Sequence, residues 1–422
     1  MRFFDLAPFL PIAALIFAPL ACSSSSGDDG VTSDDGGDQG DDGGDTTGDG
    51  GTGRDSSGPF TPGPHPSYPQ VPLNGAGTVA NPRVVAIIPS NESTSGLNGF
   101  ASAFMSSNTW KAVASEYGLG TAQTPVTITG AAAMSGSQSE DQIQSYIEGY
   151  ATGGNAPDGH TIYLVFLPSA AYLQNDQGCQ TQGIGGYHTY FFDGFSSSTD
   201  GWGVVQHCTG TAQQGLTEEQ WATIAASHEI AEAATDIDGQ SGYAFPSPQQ
   251  GGDPRQLSIW DDVLLTEIGD LCVETQITEG SYTFQRMWSN KAAKSAMDPC
   301  APAITPYFNT GAIGGDANGW FQAAGGKIDI SLEAFSNAPV ADWVLAVVLG
   351  QSSPSGWSGD LKTPRGGTTQ HLINNNEKGT LTVTAPAGAP SGSMAIFELA
   401  SVSQTATSGE YVHIWPIGVY VP

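Results

Sequence analysis

Residues 217–236 read TEEQWATIAASHEIAEAATD. Thr217-Glu218-Glu219-Gln220 is a capping box: the Thr217 hydroxyl can accept from the third helical N–H while Gln220 reaches back to the Thr217 N–H. Glu218 and Glu219 suit the positive end of the helix dipole. The pattern predicts a helix from Glu218 to about Thr235, with Trp221, Ile224, Ala225, Ile230 and Ala234 as apolar positions. His228-Glu229-Ile230-Ala231-Glu232 stands inside it. Residues four apart share one face of a helix, so His228 and Glu232 can hold one metal ion.

Upstream, Val84-Val85-Ala86-Ile87-Ile88 and the run from Thr161 to Leu167 read as short apolar strands. Strand patterns also cover 187–192 and 203–205. Residues 100–117 predict one helix with Phe104, Trp110, Val113 and Tyr117 on its core side, and 140–150 a second. The expectation is an α+β central domain over 76–301. After Cys300 the texture changes to short alternating strands, such as Ile328-Asp329-Ile330-Ser331-Leu332 and Leu381-Thr382-Val383-Thr384, separated by Gly, Pro and Asn. That pattern suggests an all-β, immunoglobulin-like sandwich over 302–422. It carries no catalytic constellation, and His371 and His413 read as structural or surface histidines.

Residues 1–21 look like a signal peptide: Arg2 gives the positive start, Leu6 to Leu20 the apolar stretch, and Ala21 the small residue before Cys22. The expectation is lipid acylation of Cys22, although Pro19 stands where such signals usually carry an aliphatic residue. Residues 22–75 read as a linker, acidic and Gly/Asp-rich at first and Pro-rich from 59, with too few apolar residues in 23–58 to offset the entropy of ordering. The formal net charge of -30 argues against nucleic acid and anionic headgroups as partners. Contact with a membrane is expected only through the lipid anchor, at the cell surface or outer membrane. Four further cysteines, Cys179, Cys208, Cys272 and Cys300, suit an exported protein with disulfides. Loop order favours Cys179–Cys208 and Cys272–Cys300.

In metal proteases with His-Glu-x-x-His on a helix, the Glu after the first His is the general base for a water that the metal activates. Glu229 occupies that position here. Glu232 replaces the second His, which weakens the metal as a Lewis acid and moves preference toward harder cations. The third ligand is expected from Glu267-Ile268-Gly269-Asp270-Leu271-Cys272: Glu267 would bind Zn²⁺, or another divalent cation, and Asp270 would orient His228 from behind. This arrangement resembles the gluzincin proteases. Asp238, by analogy with metzincins, and His188 are the alternatives, and Asp236 with Asp238 could equally be turn residues. In zincins an edge strand lines the cleft, so Tyr187 or His188 could stabilise the oxyanion of a tetrahedral intermediate. His160 and His207 look incidental, and Trp260 and Trp288 read as packing anchors.

Gly186-Tyr187-His188, Ser227-His228-Glu229 with Glu232 and Thr235-Asp236, Glu267 through Cys272, and Trp288-Ser289-Asn290 together resemble the phosphate-induced, exordium-like proteins and their secreted bacterial relatives. The resemblance covers roughly residues 83–300. Ile237 departs from it, since relatives usually carry Pro there. It implies an extracellular or cell-wall setting and supplies no reaction. The expected protein is therefore a zincin-like metal-dependent hydrolase, a zinc peptidase foremost, acting on a protein or peptide. The alternative is a non-catalytic surface protein with a structural metal that meets a cell-envelope component.

Overall fold

In the computed structural model, TIYLVF at Thr161–Phe166 is a strand buried along its whole length. The structure describes residues 59–75, 77–93, 95–174, 185–191, 200–208, 216–239, 241–246, 253–260, 267–273, 275–295, 298–366, 371–404 and 412–422. The expected signal peptide 1–21, Cys22, the spacer 23–58 and Cys179 lie outside these residues.

The first part is built on β1 (Arg83–Pro89), β2 (Val126–Ala131), β3 (Gly136–Gln138), β4 (Thr161–Phe166), β5 (Ala171–Leu173), β6 (Gly186–Tyr190) and β7 (Gly201–Val205). Five of them form one sheet in the order β2-β1-β4-β7-β6. Four run parallel, and the edge strand β6 is antiparallel to β7. A strand buried on both sides reads as a continuous apolar run, because alternate residues feed two cores. Val84, Ala86, Ile162, Leu164 and Phe166 enter one core, while Val85, Ile87, Tyr163 and Val165 enter the other.

Helices α1 (Phe100–Ser106), α2 (Asn108–Glu116), α3 (Glu140–Glu148) and α4 (Glu218–Thr235) cover the sheet. The single helix expected over 100–117 is two. Ser107 adopts an extended conformation between them, and its Oγ accepts from the Trp110 N–H at 2.9 Å. A hydroxyl that caps locally competes with helix continuation. The capping box of α4 forms as expected, with Gln220 N donating to Thr217 Oγ1 at 3.1 Å and Thr217 N to Gln220 Oε1 at 2.9 Å. α4 packs on β4, β6 and β7 on one side. On the other it meets the hairpin of β8 (Gln276–Glu279) and β9 (Tyr282–Gln285). β10 (Met287–Trp288) then pairs with β11 (Cys300–Ala301), and Cys272 is disulfide-bonded to Cys300. Cys208 is disulfide-bonded as well.

The C-terminal part is all β. It comprises β12 (Phe308–Ile313), β13 (Trp320–Gln322), β14 (Lys327–Ser336), β15 (Trp343–Ser353), β16 (Ser358–Lys362), β17 (Arg365–Gly366), β18 (His371–Ile373), β19 (Lys378–Thr384), β20 (Met394–Ser403) and β21 (Val412–Tyr420). These make a four-stranded sheet, β12-β14-β19-β16, and a six-stranded sheet, β13-β21-β20-β15-β18-β17. Phe308, Leu332 and Phe335 from the first share an apolar core with Trp343, Phe397 and Ile417 from the second. Trp343 Nε1 donates to Thr310 Oγ1 across the sheets at 3.0 Å. The described chain is thus β-rich, with its α-helices confined to the first part. Among the described residues, no helix is long and apolar enough to cross a membrane.

The Pro-rich stretch expected to be linker is bound into the fold from Pro62 onward. Asn290 accepts from the Val71 N–H at 2.8 Å and donates to the Val71 carbonyl at 2.9 Å, while Leu73 bridges to Tyr243. Tyr68 is buried, with ring centroids of Trp288, Trp260 and Trp415 at 5.7, 5.9 and 5.0 Å. Trp260 and Trp288 are packing anchors here, as read from the sequence. The aromatic spacing of this segment follows no strand or helix period, so a reading from periodicity misses it. His413, expected to be a structural or surface histidine, lies buried beside Tyr307, and burial pushes its pKa down to about 3. Truncating a buried aromatic costs about 3–5 kcal/mol. Tyr68→Ala is therefore expected to lower the unfolding free energy in urea by that amount; an unchanged midpoint would make the segment a passive linker.

Candidate metal centre

α4 carries the site because its core-facing side is polar in one place. His228, Glu229 and Glu232 point toward the edge strand β6 and toward the 267–272 segment rather than into an apolar layer. Gly269 lets that segment come close: a Cβ there would lie 2.6 Å from Glu232 Oε1 and 2.7 Å from His228 Nδ1. Gly186 does the same for β6, since a Cβ would meet the Val204 carbonyl at 2.4 Å and Glu229 Oε1 at 3.1 Å. The 269–270 turn then gives both its N–H groups to Glu232 Oε1, at 3.1 Å each.

Glu232 Oε2 is left facing inward, 2.8 Å from His228 Nε2 and 3.8 Å from His188 Nδ1. Asp270 Oδ1 lies 3.7 Å from His228 Nε2. Glu229 Oε2 lies 3.2 Å from His188 Nδ1, and Glu267 Oε1 lies 3.4 Å from His188 Nε2. Two groups of potential ligands result, His228 with Glu232 and Asp270, and His188 with Glu229 and Glu232. Within each, one atom per residue lies within 4.8 Å of the others.

Gln285 holds the outer nitrogen of His228. Gln285 Nε2 donates to the Gly269 carbonyl at 2.6 Å, which turns Gln285 Oε1 toward His228 Nδ1 at 3.2 Å. An amide oxygen only accepts, so Nδ1 carries a proton; in the cation-free protein Nε2 donates to Glu232 Oε2 at 2.8 Å, and a bound cation would take the place of that proton. This is the orientation that metal-bound histidines adopt, with the second nitrogen held by an outer partner.

The electrostatics favour a cation. Burial opposes protonation of His228, but Glu232, Glu229 and Asp270 hold its pKa well above the imidazole value. Burial is likewise outweighed at His188, by Glu267 and Glu229. Burial and the charge of Glu232 push Asp270 well up and Glu267 up to about 8. Glu232 is held low despite burial by His228, His188 and the Asp270 N–H. The donor set of imidazoles and carboxylates, buried and short of positive charge, fits a divalent cation of the zinc or manganese type.

Several expected residues fall elsewhere. Asp270, expected behind His228, stands on the side of its Nε2, and Gln285 takes the orienting place. Glu267 stands against His188 rather than in the His228 group. Tyr187 belongs to the opposite face of the sheet, with its ring centroid 5.5 Å from that of Trp202. Neighbours on a strand point to opposite faces, so only His188 reaches α4. Asp238 is a turn residue, accepting from Ser241 N and Oγ at 2.8 and 2.9 Å. Asp236 accepts from the Gly242 N–H at 2.8 Å, and burial raises its pKa to about 6. His160 packs against the Ala80 carbonyl, outside the site. His207 is more than incidental: it joins Glu92, at 3.0 Å, to Glu218 at the start of α4, at 3.2 Å. Gln285 was missed because it shares a polar strand face with Thr283 and precedes Arg286, a pattern that reads as the solvent side although all three are buried.

No protein-family model matches the chain, and no curated protein matches it.

A pH dependence follows for the cation-free protein. Glu267, His188 and His228 have folded pKa values above their ordinary ones, so each binds more protons folded than unfolded. Their contribution is present at low pH and is lost as pH rises through the folded values. Glu232 acts oppositely, but below the carboxylate range. In chelator the melting temperature is expected to fall between about pH 5 and 9, with Glu267→Gln flattening the fall and added Zn²⁺ removing it. A melting temperature that rises across this range in chelator would contradict the assignment.

Proposed function

We propose that the chain is a metal-dependent hydrolase of zincin-like construction, a peptidase foremost, exported and tethered to the cell surface through Cys22. The observation that carries this reading is His228: its Nδ1 is fixed as a donor to Gln285, and its Nε2 faces Glu232 and Asp270 at 2.8 and 3.7 Å, where a cation would take the place of the proton. His228, Glu232 and Asp270 would hold a divalent cation, Zn²⁺ foremost, which would supply Lewis acidity to a water and to the scissile carbonyl. Glu229 takes the proton of the attacking water and passes it to the leaving amine. His188, 3.2 Å from Glu229 Oε2, keeps that carboxylate oriented. An antiparallel edge strand beside the metal-bearing helix supports the zincin-like reading, since such strands line the peptide cleft in zincins. The immunoglobulin-like reading of the C-terminal sheets, with a role in holding substrate or cell-envelope material, rests on fold analogy. The resemblance to exordium-like proteins supports the extracellular setting.

One observation favours a structural ion instead. Glu229 and Glu232 are buried, with relative exposures of 4% and 2%, which restricts substrate access. Glu229→Gln separates the readings. In the Zn²⁺-loaded full chain, cleavage of a proteome-derived peptide library is expected to fall by about 10²–10⁴, with the fold and the ion at His228 retained. Equal cleavage by the variant, or no cleavage by loaded wild type, would sink the hydrolase reading.

A further inference from the structure

We propose that the centre is dinuclear, with a second divalent cation between His188 Nδ1, Glu229 and Glu232, and with Glu232 Oε2 shared by both ions. This deepens the hydrolase reading and rests on it for the first ion.

His188 repeats the logic of His228 from the other side. Its Nε2 lies 3.0 Å from the Asp236 carbonyl, which can only accept. Nε2 therefore carries a proton, which leaves Nδ1 as the nitrogen that can ligate. Nδ1 faces Glu229 Oε2 at 3.2 Å and Glu232 Oε2 at 3.8 Å. In the cation-free protein a proton on Nδ1 donates to Glu229, and a bound cation would take the place of that proton. A proton on Nδ1 would serve Glu229 but leaves Glu232 beyond hydrogen-bond range. A cation serves all three, because zinc takes imidazole and carboxylate ligands at about 2.0–2.2 Å. The three ligand atoms lie within 4.8 Å of one another, a spread that closes onto one ion with small side-chain shifts.

The two histidines belong to separate groups that meet only in Glu232. One ion cannot be the focus of both, whereas two ions about 3.5–4 Å apart can share a carboxylate, as two-metal hydrolases do. Glu229 uses Oε2 toward His188, so its Oε1 stays available for the proton transfer of the hydrolase reading.

Metal content by mass spectrometry, on the full chain loaded with Zn²⁺ or Mn²⁺ and then freed of loose ions, tests this. The expected result is two ions per chain in wild type, one in His188→Ala, one in His228→Ala and none in Glu232→Ala. One ion in wild type, kept in His188→Ala and lost in His228→Ala, would overturn the second site and leave the hydrolase reading standing. No ion in wild type would overturn both. Should a variant fail to fold, electron paramagnetic resonance of Mn²⁺-loaded wild type decides alone: an exchange-coupled pair is expected, and the hyperfine pattern of isolated ions would overturn the proposal.

Discussion

Glu232 is the residue on which the rest of the centre depends. One of its oxygens takes the two N–H groups of the 269–270 turn, and the other faces both His228 and His188. A buried carboxylate stays ionised only if hydrogen bonds and opposite charge replace its lost hydration. Backbone donors on one side and imidazoles on the other do this, and they fix three chain segments, α4, β6 and the 267–272 turn, around one side chain.

The remaining fold holds those segments in place. β6 lies antiparallel at the sheet edge, so its inward residue His188 comes opposite Gly203, where no side chain separates strand from helix. The 270–272 turn leads directly into the Cys272–Cys300 disulfide, and that strand pairs with β10 beside the aromatic cluster of Tyr68, Trp260, Trp288 and Trp415. The β8–β9 hairpin fixes the back of the helix, with Thr223 Oγ1 donating to the Thr283 carbonyl at 2.8 Å and Gln285 N to Ser227 Oγ at 2.9 Å. The residue that orients His228 thus comes from the same hairpin that packs the helix. Precision at the centre derives from this packing together with the 269–270 turn that it braces.

The helix was legible because its signals are local: a capping box, an acidic first turn and a His-Glu-x-x-Glu spacing all lie within one stretch. The buried strand at Thr161–Phe166 was legible for the same reason. What each carboxylate faces was not, because it depends on turns and register. Glu267 and Asp270 are three residues apart, and only the path of the turn decides which imidazole each meets. Tyr187 and His188 are adjacent, and only strand orientation decides which one reaches α4. The segment from Pro62 to Gly75 looked like linker because it lacks period, yet Tyr68 and Val71 are buried anchors. The break at Ser107 follows from a hydroxyl that the apolar stripe conceals.

X-ray absorption at the zinc edge, on the Zn²⁺-loaded full chain beside His228→Ala, tests the cation centre most directly. The predicted spectrum has only nitrogen and oxygen neighbours at about 2.0–2.2 Å, with imidazole outer scattering that weakens in the variant. A sulfur shell, or the spectrum of a hydrated ion unchanged by His228→Ala, would contradict a centre built on His228 and Glu232.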